Sequence, residues 1–390
     1  MSASRDTPLE TPRDTLRDTF RDTPDFLWLV LHRLGLTGAQ ARQWLAVDPA
    51  ADVAHWLATP IERWPLTRLT DTSVSRWRDW RRRGRASAVG REAAADRQWL
   101  RAHGARLLHL AAADYPALLR EIADPPPWLY LQGEAEVLQE PQLAVVGSRK
   151  PSASGLGDAS AFAAELATAG FVVTSGLAVG IDAAAHRGAL AASGRTVAVL
   201  GSGLDRLYPA QHRALARQIV DSGGALLSEL PLGTPPRPAQ FPSRNRIISG
   251  LSLGVLVVEA ALRSGSLVTA RLALEQNREV FALPGSIHNP ASRGCNALIR
   301  QGAVLVTEVA DIVAELGGWL LPQSSAQPQV VAAESDSPLL AALGFEPTPI
   351  DLLVERLQLP VPALLVALGD LELDGLVEQR GGAWLRCRPA

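Results

Sequence analysis

Apolar and polar positions follow two different patterns along this chain of 390 residues. Between residues 25 and 100 the apolar positions recur at helical spacing, with no strand-like alternation. From 141 to 316, short apolar runs alternate with longer amphipathic stretches, which predicts strands alternating with helices. This pattern is typical of a parallel sheet covered by helices on both faces. Ligands of such sheets bind at the carboxyl ends of the strands.

Composition adds boundaries to this pattern. Repeats of Arg-Asp-Thr with little apolar content predict a disordered tail, and a stretch rich in Gly, Pro, Gln and Ser predicts a linker. Three helical stretches followed by a hairpin with a Gly381-Gly382 turn are typical of a winged helix. The predicted segments are a tail (1–24), a helical, SAM-like domain (25–100), a connector with a strand at 128–131 (101–140), an extended Rossmann-like α/β domain (141–316), a linker (317–336) and a winged-helix domain (337–390).

Charge and cysteine content narrow the classes of function. The chain has 38 basic and 40 acidic residues, but residues 141–316 carry 15 basic against 12 acidic ones, an excess of +3. Residues 1–100 show the same excess, with 16 against 13, so a nucleic-acid site is expected in one of these two regions. Cys295 and Cys387 can form neither a disulfide framework nor a metal site, which suits a reducing cytoplasm. No apolar run approaches the roughly 20 residues of a membrane span, so we expect a cytoplasmic protein that does not bind membranes.

The segment from Trp77 to Arg83 has two interpretations. Its arginines and tryptophans could bind phosphates and stack on bases. Alternatively, Trp77 and Trp80 lie three positions apart on one helical face and pack inward. We favour inward packing.

Small and polar residues follow four strands of the Rossmann-like domain. Glycine turns at the start of helices allow close backbone approach, and their N–H groups attract anions. Several such turns in a row suit a chain of phosphates, although each glycine alone could be only a tight turn. The candidate residues are Gly147, Ser148, Arg149 and Lys150 after the first strand, Ser175, Gly176, Gly180 and Asp182 after the second, Gly201 and Gly203 after the third, and Ser264, Gly265, Ser266 and Thr269 after the strand that ends at Glu259.

Signatures of common cofactor sites are absent from this edge. No G-x-G-x-x-G follows the first strand, no acidic residue closes the second, and no Walker-type phosphate loop is present. We therefore expect no cofactor.

Arg244, Asn245 and Arg246 form another candidate contact. Two residues apart on a helix, the arginines cannot share one face. We expect one to reach outward to a phosphate and the other to be tied to a carboxylate such as Glu259 or Glu229. The alternative is that both arginines are structural.

Asp182 and His186 share one helical face and could suggest catalysis. We instead expect a hydrogen bond between them that braces the turn. No nucleophile–base set or metal cluster is present in the sequence, so no catalytic or metal-binding residue is predicted.

These motifs together resemble the DNA-processing protein A family (DprA, also called Smf). The resemblance covers 141–316 in order and spacing. The matching runs are Val145–Arg149, Ser175–Ala178 with Gly180–Asp182 and Ala185-His186, Gly201–Asp205 with Tyr208-Pro209, Phe241-Pro242 with Arg244–Ile248, Val258–Ala260, Ser264–Leu267 with Thr269-Ala270, and Pro284-Gly285.

The resemblance implies binding of single-stranded DNA, self-association into dimers, and loading of the RecA recombinase during natural transformation. It also implies that Arg149 is a principal DNA contact. Some relatives carry a lysine where this chain has Val179, so one basic contact is missing here. Lys150 or an arginine of another motif is expected to compensate.

The predicted winged helix lacks the features of a DNA reader. Its expected recognition helix, 361–374, contains no Lys or Arg, and residues 337–390 carry 4 basic against 7 acidic residues, or −3. We expect a protein-contact module there. Two other functions remain open: a nucleotide-processing enzyme of phosphoribohydrolase type that uses Asp182, Glu229 or Glu259, and a regulator that binds duplex DNA through the winged helix.

Overall fold

The structure is a computed structural model that describes residues 24–36, 38–47, 53–64, 69–317, 338–343, 348–373, 376–380 and 382–386. Two compact units are present, Met1–Leu321 and Pro322–Ala390. The predicted tail at 1–24 (apart from Pro24), the predicted linker at 317–336 (apart from Gly317) and Cys387 lie outside the described residues.

The first part of the larger unit is helical, as the apolar spacing predicts. Its helices are α1 (Pro24–Arg33), α2 (Gly38–Val47), α3 (Val53–Ala58), α4 (Asp71–Arg83) and α5 (Ala88–Ala102). Trp77 and Trp80 are buried in α4, at 7% and 1% exposure, which confirms that they pack inward. The guanidinium of Arg81 lies 5.3 Å from the centre of the Trp77 ring, so that arginine covers the core instead of extending away from it.

A nine-stranded sheet forms the centre of the larger unit, and its spatial order is β1-β2-β6-β5-β4-β3-β7-β8-β9. The seven strands from β6 to β9 in this order are parallel, as the alternation of strands and helices predicts. The strands are β1 (Ala105–His109), β2 (Trp128–Gly133), β3 (Gln142–Val146), β4 (Val172–Ser175), β5 (Thr196–Val199), β6 (Ala225–Ser228), β7 (Gly254–Val257), β8 (Glu279–Ala282) and β9 (Val304–Leu305).

Helices cover the sheet and bury its apolar strands. They are α6 (Ala117–Glu121), α7 (Ala153–Thr168), α8 (Ile181–Ala191), α9 (Arg213–Asp221), α10 (Gln240–Leu251), α11 (Gly265–Glu275), α12 (Arg293–Arg300) and α13 (Val309–Glu315). The chain first builds the sheet outward from β3 to β6 and then crosses to the other side of β3 to form β7. The carboxyl ends of β3 and β7 therefore flank a topological switch point, where open α/β sheets bind ligands.

Residues 101–140 contribute more to the sheet than a connector does. The predicted strand at 128–131 lies within β2, whereas β1 was not predicted from the sequence. Both strands are antiparallel additions to the parallel sheet, because β1 pairs with β2 and β2 pairs with β6. The Tyr130 hydroxyl donates to Asp96 of α5 at 3.2 Å, which ties this edge to the helical region.

The smaller unit has the predicted winged-helix composition. Its helices are α14 (Pro338–Ala342), α15 (Ile350–Leu357) and α16 (Val361–Leu373), and β10 (Thr348–Pro349), β11 (Val377–Arg380) and β12 (Ala383–Arg386) form an antiparallel sheet. Leu353, Leu364, Leu368 and Trp384 are buried in its core. Across the described residues no single helix is long and apolar enough to span a membrane, and only the bent pair Ile350–Leu357 and Val361–Glu372 has the length and composition when taken together.

Candidate nucleic-acid interface

A cleft of about 670 Å³ opens at the switch point, beyond the carboxyl ends of β3 and β7. The segment that follows β3, the segment between β7 and α11, and the first turns of α10 form its walls. The lining includes eleven of the residues predicted from sequence, namely Gly147, Ser148, Arg149, Lys150, Asp182, Arg244, Asn245, Ser264, Gly265, Ser266 and Thr269.

Three exposed cations line this cleft: Arg149, Lys150 and Arg263. No ion pair joins any of them to a carboxylate in the described parts of the chain. Their charge is therefore available to an anion that enters the cleft.

Phe241 holds one of these cations in place. The guanidinium carbon of Arg149 lies 5.2 Å from the centre of the Phe241 ring, within the range of a cation–π interaction. The ring itself packs on Gly201, where an added Cβ would lie 2.7 Å from Phe241 Cδ1. Gly201 is therefore needed for the position of the ring, and the ring orients Arg149.

Beneath the exposed cations lies a buried pair, Asp182 and Arg244. Asp182 Oδ2 accepts hydrogen bonds from the backbone N–H groups of Gly176 at 3.1 Å and Ala178 at 3.3 Å. Arg244 Nη1 donates to the carbonyl oxygens of Gly176, at 2.9 Å, and Val199. Burial raises the pKa of Asp182, while the charge of Arg244 opposes that rise, and burial lowers the pKa of Arg244 to about 10. The two side chains brace the ends of β4 and β5.

The predicted hydrogen bond between Asp182 and His186 is wrong. His186 Nδ1 instead lies 2.7 Å from Thr196 Oγ1, and burial lowers the pKa of His186 to about 3. Asp182 does brace the turn, but it does so through backbone amides.

The two arginines of α10 are both held by the protein. Arg246 donates to Glu229 through Nη1 at 2.9 Å and Nη2 at 2.6 Å, and Nε lies 3.0 Å from Asp124 Oδ2. Burial lowers the pKa of Arg246, but the bonds to Glu229 outweigh it and raise the pKa above its usual value. One arginine is thus tied to Glu229 as expected. The expectation that the other reaches outward is wrong, because Arg244 is only 5% exposed.

Most glycines of the predicted row contact protein atoms. An added Cβ would lie 2.6 Å from Ile181 at Gly147, 2.4 Å from Arg244 at Gly176, and 2.7 Å from the Pro231 carbonyl at Gly203. The N–H of Gly203 is bonded to Thr234 O at 3.0 Å, and that of Gly176 to Asp182. The expectation that the N–H groups of Gly176 and Gly203 are free to bind an anion is therefore wrong. These glycines allow tight internal packing.

Gly265 differs from those glycines. It is exposed at the first position of α11, and an added Cβ there would meet no atom within 4 Å. Ser264 caps this helix by accepting a hydrogen bond from Ser266 N at 3.3 Å. The open start of an eleven-residue helix facing the cleft adds a favourable field for an anion.

Six of the predicted residues do not line the cleft: Ser175, Gly176, Gly180, Gly201, Gly203 and Arg246. Arg263 was not predicted from the sequence, and neither was the contact of Phe241 with Arg149. Arg263 directly precedes the Ser264-Gly265-Ser266 run, so its position beside a helix start was a usable signal.

The remaining acidic candidate, Glu259, is 4% exposed and supports a helix start. Its Oε2 accepts a hydrogen bond from Ser152 N at 2.8 Å, at the beginning of α7. Glu259 is not part of the cleft lining. No group of three or more His, Cys, Asp or Glu side chains that could hold a metal occurs in the described residues.

Known proteins with similar sequences were found over both units. A family model for DNA recombination-mediator protein A matches residues 106–317, and a model for the DprA winged helix domain matches 323–383. Protein Smf of Escherichia coli K12 is 45% identical over 354 residues, which cover 88% of this chain and 92% of that protein. DNA processing protein DprA of Streptococcus pneumoniae R6 is 46% identical over 201 residues, or 52% of this chain and 71% of that protein. An X-ray structure of DprA from Streptococcus pneumoniae matches with a TM-score of 0.59 and 36% identity, over 75% of this chain and 98% of that one.

Proposed function

This chain belongs to the DNA recombination-mediator protein A family, and from that premise we propose that its central cleft binds single-stranded DNA. The observation that carries the proposal is the group of three exposed, unpaired cations in one cleft, with Arg149 oriented by an aromatic ring. Cations supply the phosphate contacts on which affinity for nucleic acids depends. An unpaired strand exposes its bases beside those phosphates, which suits a cleft that also holds Phe241.

Each lining cation has a defined part in this proposal. Arg149 is the principal phosphate contact, with Lys150 and Arg263 beside it. Lys150 or Arg263 supplies the basic contact that is missing at Val179. The first turn of α11, with Gly265 at its start, receives a further phosphate, while Asp182 and Arg244 keep the shape of the cleft without direct contact to the strand.

The test compares two variants that lose the same charge. Fluorescence anisotropy of a labelled single strand should show that Arg149→Ala weakens binding by about 1.5–3 kcal/mol, the usual contribution of a charge-assisted hydrogen bond. Arg217→Ala is the matched control, because Arg217 is exposed on α9 and is not part of the cleft lining. Equal affinities of wild type and Arg149→Ala would reject the cleft as the binding site.

Loading of the RecA recombinase onto the bound strand, in natural transformation and recombination in the bacterial cytoplasm, is the process we propose for this activity. The family model, which describes a recombination mediator, supports this assignment. We also propose that the chain acts as a homodimer. ATP hydrolysis by RecA, which requires RecA to be bound to a single strand, should begin after a shorter lag with wild type than with Arg149→Ala. Sedimentation should give twice the mass of one chain, as expected for a homodimer. An unchanged lag of RecA would contradict the loading proposal, and the mass of a single chain would contradict the homodimer.

Binding without turnover is the remaining part of the proposal. A phosphoribohydrolase would need a carboxylate free to act on its substrate. Asp182 is bonded to two backbone amides, Glu229 is paired with Arg246, and Glu259 supports the start of α7. Incubation with nucleoside monophosphates should release no base, and release that Glu259→Gln abolishes would favour the enzyme instead.

A further inference from the structure

Tyr208 is an exposed aromatic side chain beside the cleft. The residue is 48% exposed, whereas Tyr115 and Tyr130, the other two tyrosines of the chain, are 2% and 0% exposed. The ring centres of Tyr208 and Phe241 lie 5.7 Å apart with the planes tilted by 46°. Phe241 lines the cleft and also contacts Arg149, so one ring links an exposed aromatic side chain to an exposed cation.

The segment that carries Tyr208 is anchored on both sides. On one side, Leu204 is buried and Asp205 Oδ1 accepts a hydrogen bond from Gly233 N at 2.7 Å. On the other side, His212 is buried and its Nδ1 lies 2.9 Å from the Leu177 carbonyl oxygen. Little conformational freedom remains to be lost on binding, which favours a preformed contact surface.

We propose that Tyr208 stacks on an unpaired base of the nucleotide whose phosphate binds Arg149, or of its neighbour. This inference rests on the proposed function, because it assigns a base contact next to the phosphate contacts of the same cleft. An exposed aromatic ring and an exposed cation on either side of Phe241 match the two halves of a nucleotide, a flat base and an anionic phosphate.

Stacking on Tyr208 gives the cleft a preference for strands that carry bases, with little preference among them, because every base offers a π face. It also favours single strands over duplexes, in which the base faces are covered by their neighbours. Cations alone would not discriminate in this way, since both forms present phosphates.

Two probes of equal length separate stacking from charge. One is a fluorescently labelled oligothymidylate, and the other is a phosphodiester oligomer with abasic tetrahydrofuran units throughout. Tyr208→Ala should weaken binding of oligothymidylate by about 5- to 150-fold, the range for loss of one stacked base. It should leave the affinity for the abasic oligomer unchanged.

Conservative variants test the role of the ring. Tyr208→Phe should retain the wild-type affinity for oligothymidylate, whereas Tyr208→Leu, which has a similar apolar volume without a ring, should behave as Tyr208→Ala does. Equal losses for both probes, no loss for either, or full affinity in Tyr208→Leu would overturn the proposal. Thermal unfolding of each variant identifies a loss that comes from misfolding, and the difference between the two probes, measured with whichever of Tyr208→Leu and Tyr208→Ala is folded, then decides.

Failure of the underlying function gives a different result. If wild type binds neither probe, the cleft is not a nucleic-acid site, and the proposed function fails together with the stacking. If wild type binds both probes equally and Arg149→Ala binds neither, the proposed function stands and the stacking role of Tyr208 is rejected.

Discussion

Arg244 Nη1 lies 2.9 Å from the carbonyl oxygen of Gly176, and the N–H of the same glycine is bonded to Asp182. Both backbone polar groups of Gly176 are therefore used by buried side chains. Arg244 also donates to Val199 O, so one side chain of α10 joins the ends of β4 and β5. The most deeply buried charges of the cleft are therefore engaged by protein groups, and the exposed cations are the ones that remain accessible.

The close contact between Arg244 and Gly176 predicts that Gly176→Ala destabilises the protein. A methyl group there would lie 2.4 Å from Arg244 Nη2, and the buried guanidinium cannot swing aside without losing its carbonyl partners. Overpacking of this kind costs about 1–3 kcal/mol. Urea unfolding, followed by tryptophan fluorescence, measures the change.

Gly157→Ala is the matched control for that experiment. Gly157 is exposed in α7, and an added Cβ would meet no atom within 4 Å. The substitution should stabilise the chain by about 0.5–1 kcal/mol, because alanine favours helix more than glycine does. Equal stability of Gly176→Ala and wild type would show that the Arg244 guanidinium can move.

The sequence was sufficient to predict that the strands of the central sheet run parallel, since they are short apolar runs separated by amphipathic helices. It was not sufficient for β1, whose residues Ala105–His109 are mostly half-buried and lack a clear alternation. At the site, the sequence identified Arg149 and Gly265 as residues of the strand-end edge. It could not show that the Arg244 side chain points inward, because the direction of that side chain depends on how α10 packs against β4 and β5. The same limit applies to Gly176 and Gly203, whose neighbours are distant in sequence.

A buried histidine should make stability depend on pH. His32 has both ring nitrogens buried without a hydrogen-bond partner among the described residues, and burial together with Arg33 lowers its pKa to about 3. The unfolded chain takes up a proton near pH 6.5 that the folded chain refuses, so this stability is present above pH 6.5 and is lost as pH falls toward 3.

His32→Phe removes that dependence and keeps the aromatic contact with Trp128, whose ring centre lies 4.7 Å away. Between pH 6.5 and pH 5, wild type should lose about 2 kcal/mol more than the variant in free energy of unfolding. At pH 7 the variant should be at least as stable, since it buries no unpaired nitrogen. Urea titrations at both pH values measure the difference, and identical losses would mean that the folded ring accepts a proton.

Salt dependence should identify the cations that contact phosphates. The logarithm of the affinity for a single strand falls with the logarithm of salt concentration by about 0.7 per phosphate neutralised. Combined replacement of Arg149, Lys150 and Arg263 by alanine should therefore lower the slope by about 2. Titrations over a series of sodium chloride concentrations measure it, with Arg217→Ala expected to keep the wild-type slope. A triple variant with an unchanged slope would locate the phosphate contacts elsewhere.

The winged-helix unit should not be needed for binding of single strands. Its helix α16 carries Asp370 and Glu372 but no basic residue, and so lacks the phosphate anchors of a DNA-reading helix. Val361, Leu365 and Val366 of the same helix are 40%, 46% and 67% exposed, which suits contact with a protein better than with DNA.

A chain ending at residue 321, the limit of the larger compact unit, should bind a labelled single strand as tightly as the full chain. Its circular dichroism and thermal unfolding establish that the shortened chain is folded. If the folded, shortened chain loses its affinity for single strands, the phosphate contacts lie in the winged-helix unit, and if it loses affinity for duplex DNA alone, that unit is a DNA reader despite its charge.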